Sequence, residues 1–449
     1  MGVNQNKLNI LYIITKLELG GAQKVCLELC KSLQAAGHKT CLISGAEGQL
    51  VAQLSNYIPK QSQIILLPSF KREVSLKNLW LELKNFNNLV LQIRQLKKTY
   101  PDLIVHAHST KAGLLGRWAA LFAGVKKRVY TIHGYGFNQY QPKLVALIIY
   151  LLELITSLIT TDYVCVSELD LKTGVKLFPG FKRKAQLIRA GVDDQLFMDY
   201  GSIHPVFTSR FRQGTHHERR RITTSTYKRT KENIYSEQDV PSAYCIDLSC
   251  KFSRCVRGEC SSKLEERSRT YRTITFGTVA CFKPQKNLFD LLRAFHHLKI
   301  LDPAGNYKLE IIGDGELRLA IETWIRAHNL QNYIILHGWQ APENLPKIMA
   351  QWHCFTLSSL WEGLPCAIVE ARCLKLPVLA YNTGGISELI FNSKNGFLYP
   401  QGDWLGLAHG MYNLSHDHVL YQKLSDYPDD LSSYSYSYMA QAHIEIYLR

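Results

Sequence analysis

Short apolar runs alternate with amphipathic stretches along most of the chain. NILYIIT (9–15) reads as a buried strand and ends in KLELGG. AQKVCLELCKSLQAAGH has a helical period: Val25, Leu29, Ser32 and Leu33 share one face, and Gly37 stops it. TCLISG predicts a second strand, and a helix is expected over 78–98. DLIVHAHS, RVYTIHG and YVCVS read as further strands, with KAGLLGRWAALFAGV as a helix between the first two. The alternation resumes near Ile274. TITFGTVACF, YKLEII, YIILHGW, CFTLSSL and PVLAYNT predict strands, and Leu288, Leu291, Leu292 and Phe295 line one side of a helix. Alternating units of this kind predict an α/β fold with parallel, doubly wound sheets. The expected divisions are 1–198, an irregular insertion or linker at 199–273, 274–435, and a closing helix at 436–449.

One run departs from this rhythm. LVALIIYLLELITSLITT (144–161) is almost wholly apolar and near the length of a membrane span. Glu153 sits in its middle, where a bilayer would make a carboxylate costly, and the strand YVCVS follows at once. A core or interfacial helix is therefore expected. Lys126, Lys127, Arg128 and Lys143 precede it, and together they could lay this region on an anionic membrane surface.

The segment 199–273 changes character: SRFRQGTHHERRRITTSTYKRTKEN is basic, Ser/Thr-rich and without apolar period. Cys245, Cys250, Cys255 and Cys260 recur every five residues, which is not a familiar zinc spacing. A tolerated insertion is preferred to a metal site. The basic cluster Arg219–Arg221 raises nucleic-acid binding as a rival, but a solvated loop explains it as well, and no nucleic-acid partner is expected.

Charge narrows the partners. The chain of 449 residues carries a net +16, which favours an anionic ligand such as a phosphorylated substrate or anionic lipid. Its 12 cysteines include no C-x-x-C pair, and the apolar run 8–15 lacks a cleavage site, so reduced thiols and a cytoplasmic location are expected.

The candidate chemistry is concentrated in SSLWEGLPCAIVEA and YNTGGISEL. Glu362 lies on a turn made by Gly363 and Pro365. A helix predicted over 367–374 puts Glu370 near its first turn. Such a terminus favours phosphate, and carboxylates beside it suit the hydroxyls of a sugar or ribose. Helix capping alone would explain Glu370, but not the EGLP turn and the Gly384–Gly385 loop together. Gly20 and Gly21 let the backbone approach a ligand closely. Gly313 and Gly315 form another strand-end turn, suited to a base pocket or simply to tight geometry. His106 and His108 alternate with Ala107 and so point to one face; a core role suits His106, and His108 is nearer the strand end. His133 closes RVYTIHG at the edge where open α/β sheets bind ligands. No D-x-D motif stands near a strand end, and no metal or cofactor is expected.

The two glutamates and their spacing resemble the EX7E signature of the group 1 (family 4) retaining glycosyltransferases. ITKLELGGAQ, HAHSTKAGLLGRWAA, TIHGYGF and CVSELD…IRAGVD are similar to the other half of that family. The resemblance implies the GT-B fold, two Rossmann-like domains facing a cleft. It implies that Glu362 contacts the donor sugar, that Glu370 holds the ribose hydroxyls, and that Lys286 lies beside the β-phosphate. Gly20, Gly21, Gly313, Gly315, Gly363, Leu364, Gly384 and Gly385 fall on the donor side, His133 faces the reacting sugar, and His108 is an acceptor-side candidate. The family usually has an Arg where this chain has Cys281, so one phosphate contact is missing unless Lys283 or a helix terminus replaces it.

The reading that follows is a retaining glycosyltransferase using a nucleotide-diphosphate sugar, UDP preferred, and a lipid-linked or polysaccharide acceptor in surface-polysaccharide synthesis. It would work at the inner membrane face. The leaving phosphate would deprotonate the acceptor, with double displacement left open. A non-catalytic GT-B nucleotide-sugar binder or scaffold is the alternative.

Overall fold

Runs such as ILYII and VLAY lack a polar alternation, so they are stable only as strands covered on both faces. The computed structural model, which describes residues 7–18, 20–58, 63–68, 70, 79–201 and 273–449, builds them into two parallel sheets. The first contains β1 (Asn9–Ile14), β2 (Lys39–Gly45), β3 (Gln63–Leu67), β4 (Leu103–His108), β5 (Lys127–Ile132), β6 (Asp162–Cys165) and β7 (Ala185–Leu187). Its order is β3-β2-β1-β4-β5-β6-β7. The second contains β8 (Ile274–Val279), β9 (Tyr307–Ile312), β10 (Ile334–Gly338), β11 (Cys354–Leu357), β12 (Val378–Tyr381) and β13 (Gly396–Tyr399). Its order is β10-β9-β8-β11-β12-β13. Both sheets thus run third-second-first-fourth-fifth-sixth, the first adding a seventh strand at its edge, and in each the order reverses beside the first strand. That reversal opens a crevice at the carboxyl ends of the strands, the usual ligand site of such sheets. The fold is α/β with two Rossmann-like domains.

Helices cover the sheets as the periodicity requires. Gly21–Ala35 buries Val25, Leu29 and Leu33 and ends before Gly37, whose φ is +90°. The Tyr436–Leu448 helix packs against Gly21–Ala35, and its Tyr447 hydroxyl lies 3.1 Å from that of Tyr12 on β1. One apolar cluster runs through both halves: Phe197, from the Asp194–Gly201 helix, joins Leu345, Leu374 and the β1 residue Tyr12 in it.

Three findings adjust the sequence reading. The strands it did not name, β3, β7 and β13, are all edge strands, where a short segment with one neighbour carries a weak pattern. The long apolar run becomes a 15-residue helix, Lys143–Ser157, lying on the first domain, and none of the described helices is long and apolar enough to cross a membrane. Residues 202–272 lie outside the described residues, and so do the readings of Arg219–Arg221, Cys245, Cys250, Cys255 and Cys260.

Candidate active site

The loops after β1, β4 and β5 face those after β8, β11 and β12. Loop-to-loop bonds fix the second set. Ser358, just past β11, donates to the Lys286 and Asn287 carbonyls at 3.1 and 2.9 Å. Leu360 N–H donates to the Gln285 carbonyl at 2.8 Å, and the Gln285 amide donates to Trp361 O at 2.7 Å. The turn Pro284–Lys286 is therefore held against the Glu362 turn, and the Lys286 ammonium donates directly to Glu362 Oε1. Burial would lower the Lys286 pKa, but the Glu362 charge outweighs it and the ammonium is held more firmly. Cys281 lies close enough to bear on the same ammonium.

Two glycines let these turns approach. Gly384 has φ +54°, and a β-carbon there would stand 2.0 Å from the Glu362 carbonyl oxygen. A β-carbon on Gly363 would stand 2.7 Å from the carbonyl oxygen of His133, across the cleft. Gly385 N–H donates to Gly363 O at 2.8 Å, and Leu364 is buried beneath the turn. The helix that follows runs Cys366–Cys373, one residue earlier than predicted. It has no side-chain cap and no acid in its first turn; Ile368 N–H bonds the Pro365 carbonyl at 3.0 Å, and the N–H groups ahead of it are the ones a ligand or water can take.

Glu370 is the correction to the sequence reading. It is the fifth residue of that helix, beyond the first turn, and it caps nothing. Its Oε1 instead accepts from Lys24 Nζ at 2.6 Å, across 346 residues of sequence, with the Glu370 side chain only 3% exposed. Burial lowers the Lys24 pKa and the Glu370 charge more than reverses it, so this lysine stays protonated. Lys24 stands in the first turn of the helix that opens at Gly21. That helix is also uncapped and without acid, and the backbone at Gly21 faces open space, while Gly20 is its extended N-cap. Lys283, the suggested stand-in for the missing arginine, bonds Glu18 in the loop after β1. Burial would raise the Glu18 carboxyl, but hydrogen bonds from Lys16 and Lys283 bring it down to about 2. Gly313 and Gly315 lie where the loops after β8 and β9 cross: Gly313 N–H donates to Gly338 O at 2.8 Å, and Phe282 N–H donates to Asp314 O at 2.9 Å.

Besides Glu18 and Lys24, the first domain supplies rings. His133, half-buried at the end of β5, shares a hydrogen bond of 3.0 Å between its Nε2 and His108 Nδ1. His108 itself is fully buried, so it reaches the cleft only through His133. His106 is a satisfied core residue, its nitrogens 2.6 Å from the hydroxyls of Tyr447 and Thr131. His443, from the Tyr436–Leu448 helix, lies 5.5 Å ring to ring from His106. Burial, aided by the His443 ring, pushes His133 down to about 3, and burial pushes His443 down to about 4. His106 and His108 are lowered for the same reason. The cluster is neutral near pH 7. Tyr140 stacks on Trp361 across the cleft at 4.5 Å, and its hydroxyl donates to Gln401 at 2.6 Å. Among the described residues, no three His, Cys, Asp or Glu side chains group as a metal site.

Sequence reasoning missed Lys24, Glu18, Trp361, Tyr140 and the His443–Tyr447 helix face. Lys24, three residues past Gly21, had a local hint in its place on the first turn after the glycine pair; nothing local names partners hundreds of residues away.

A crevice with uncapped helix ends, paired carboxylates and cations suits a phosphorylated sugar ligand, and known proteins of this architecture agree. The family model described as glycosyl transferases group 1 matches residues 265–430, and that of glycosyltransferase family 4 matches 19–196. The chain is 26% identical over 422 residues to the UDP-Gal:alpha-D-GlcNAc-diphosphoundecaprenol alpha-1,3-galactosyltransferase of Escherichia coli, covering 94% of this chain and 91% of that one. It is 23% identical to the capsular polysaccharide biosynthesis glycosyltransferase CapM of Staphylococcus aureus, over 84% of this chain and 81% of that one. Among solved structures it is similar to Anabaena HepE in complex with UDP and glucose (TM-score 0.67, 16% identity, 98% of each chain), a likeness of fold. With one family model matching each half and the GT-B architecture in both, the chain belongs to the group 1 glycosyltransferases.

Proposed function

We propose that this enzyme transfers a sugar from a UDP-sugar to a saccharide carried on a lipid diphosphate, in surface-polysaccharide synthesis at the inner membrane face, with retention at the anomeric carbon. The observation that carries the donor half is the Lys286–Glu362 pair beside the uncapped Cys366–Cys373 helix. The donor's β-phosphate takes the Lys286 ammonium and the helix N–H groups, which stabilise the charge of the departing UDP. Glu362, freed from Lys286, accepts hydrogen bonds from the donor sugar. Glu370 exchanges Lys24 for the ribose hydroxyls. The bond from the anomeric carbon to the β-phosphate oxygen breaks, and the acceptor oxygen bonds that carbon on the same face. The acceptor proton passes to the phosphate oxygen that leaves. His133, neutral and hydrogen-bonded to His108, orients the sugar through its cleft-facing side. The diphosphate-linked acceptor of the Escherichia coli relative supports the choice of acceptor class.

The test is a thermal-shift and nucleotide-release screen against UDP-, GDP- and ADP-sugars, with a short-chain lipid-diphosphate saccharide as acceptor. Stabilisation by a UDP-sugar and acceptor-dependent UDP release are expected. Turnover with another nucleotide, or with soluble sugars and no lipid-linked acceptor, would overturn the corresponding part.

A further inference from the structure

The Lys143–Ser157 helix is fastened to the first domain by polar groups on one side. Glu153 accepts from Arg117 at 2.7 Å, Arg117 itself being fully buried. Trp118 Nε1 donates to the Thr156 hydroxyl at 3.0 Å. The carboxylate that argued against a membrane span is thus the peg that sets the helix's rotation. The opposite side is left apolar and open: Leu144, Leu147, Ile148, Leu151, Ile155 and Leu158 are between 45% and 78% exposed. Their spacing of three and four places them on one stripe, about 20 Å long at the helical rise. A contiguous stripe of this size is not ordinary surface.

The chemistry beside the stripe identifies what covers it. Lys184 donates to the Ser157 and Thr160 carbonyls at 3.1 and 2.8 Å, which places the turn Phe181–Lys184 against the helix's C-terminal end. A shallow depression there is lined by Lys176, Lys182 and Arg183 with Phe178, and no acid lines it. The Phe178 ring lies 6.0 Å from that of Tyr150, on the core side of the apolar helix, so the depression flanks that helix. Lys143 is exposed at the other end.

We propose that this face docks on an anionic phospholipid bilayer: the stripe enters the interface in the plane of the membrane, and Lys176, Lys182 and Arg183 hold a headgroup phosphate. A helix of 15 residues is too short to span, and its peg prevents it from leaving the domain. A second copy fits less well, because a two-fold pairing of stripes would bring each cationic rim against its twin. The inference deepens the lipid-linked acceptor reading and rests on it for its purpose, since docking brings the cleft to where such an acceptor lives.

The experiment is co-flotation of the full chain with phosphatidylcholine vesicles, with and without phosphatidylglycerol, beside transfer to a water-soluble short-chain acceptor. The wild type should float with the anionic vesicles and release with added salt. Ile148→Glu with Ile155→Glu should abolish flotation, and Lys182→Gln with Arg183→Gln should weaken it about tenfold or more. Both variants should keep soluble-acceptor turnover, which certifies their fold. No flotation of the wild type, or flotation indifferent to both variants, overturns the proposal. So does a dimer that Ile148→Glu dissolves in a protein that ignores vesicles. Flotation without transfer to any lipid-diphosphate acceptor would instead sink the acceptor reading and leave the docking surface standing.

Discussion

The two halves share the order of their first six strands and differ in the balance of charge and rings that they present to the cleft. The second sheet's loops bring Lys286 on Glu362, an uncapped helix start, and turns so close that a β-carbon on Gly363 or Gly384 would press on backbone. The first sheet's loops bring Glu18 and Lys24 to pair with the opposite wall, and beside them neutral rings: His133 on His108, with His106, His443 and Tyr447 behind them. Its outer surface carries the open apolar stripe, which the second half lacks. Topology fixes where the ligand sits, and side chains fix what each wall does to it. One wall concentrates cations and carboxylates, and the other adds a neutral ring cluster beside them.

Several substitutions probe this contrast. The largest effect is expected in the first half, where Glu153→Leu would leave Arg117 charged and buried without its partner. A loss of roughly 3–5 kcal/mol is expected, read by denaturant unfolding. If stability were unchanged, the peg would be decorative. Glu362→Gln should cut transfer by about 10²–10³-fold while UDP affinity, measured by calorimetry, stays close to that of the wild type. Equal loss of both would move Glu362 from the sugar to the nucleotide. Gly384→Ala should reduce turnover and cost about 1–3 kcal/mol, because its left-handed backbone and the Glu362 carbonyl both resist a methyl group.

Acid should distinguish the halves more gently. Folded, His133 and His443 are pushed down to about 3 and about 4 from a usual 6.5. Above 6.5 neither folded nor unfolded chain takes these protons, and their contribution is fully present. As pH falls from 6.5 toward 4, the unfolded chain binds protons that the folded one refuses, and stability drops. The thermal midpoint should fall across that window, and His443→Gln should reduce the slope by up to about 1.4 kcal/mol per pH unit. A slope unchanged by His443→Gln would mean the cluster does not drive the acid response. Smallest of all is Lys283→Ala. Its pair with Glu18 is about a quarter to a third exposed, so less than about 1 kcal/mol should be lost.

Much of the frame was legible in the sequence because buried parallel strands write long apolar runs; β1, β4 and β12 could be read directly. The edge strands β3, β7 and β13 could not, since one neighbour and three to five residues impose little pattern. Glu362, Lys286, Gly384 and His133 stood out through motif and strand-end position, and the structure brings Glu362 to Lys286 and lays the Gly363 turn against His133. The Lys24–Glu370 pair was not legible, because a lysine in a helix's first turn is ordinary until the opposite wall is known. Glu153 was read correctly as incompatible with a span, yet Arg117 gave no hint that it was the reason.

The Tyr436–Leu448 helix bears on the order of events at the ribosome. His106 and Tyr447, 2.6 Å apart when folded, are separated by 341 residues of synthesis. The first sheet can pair its strands early, as N-terminal domains do, but the rings behind His133 lack His443 and Tyr447 until the Tyr436–Leu448 helix emerges. A nascent chain would therefore carry a first domain with an unfinished wall, and the enzyme's activity would begin only after the Tyr436–Leu448 helix has docked.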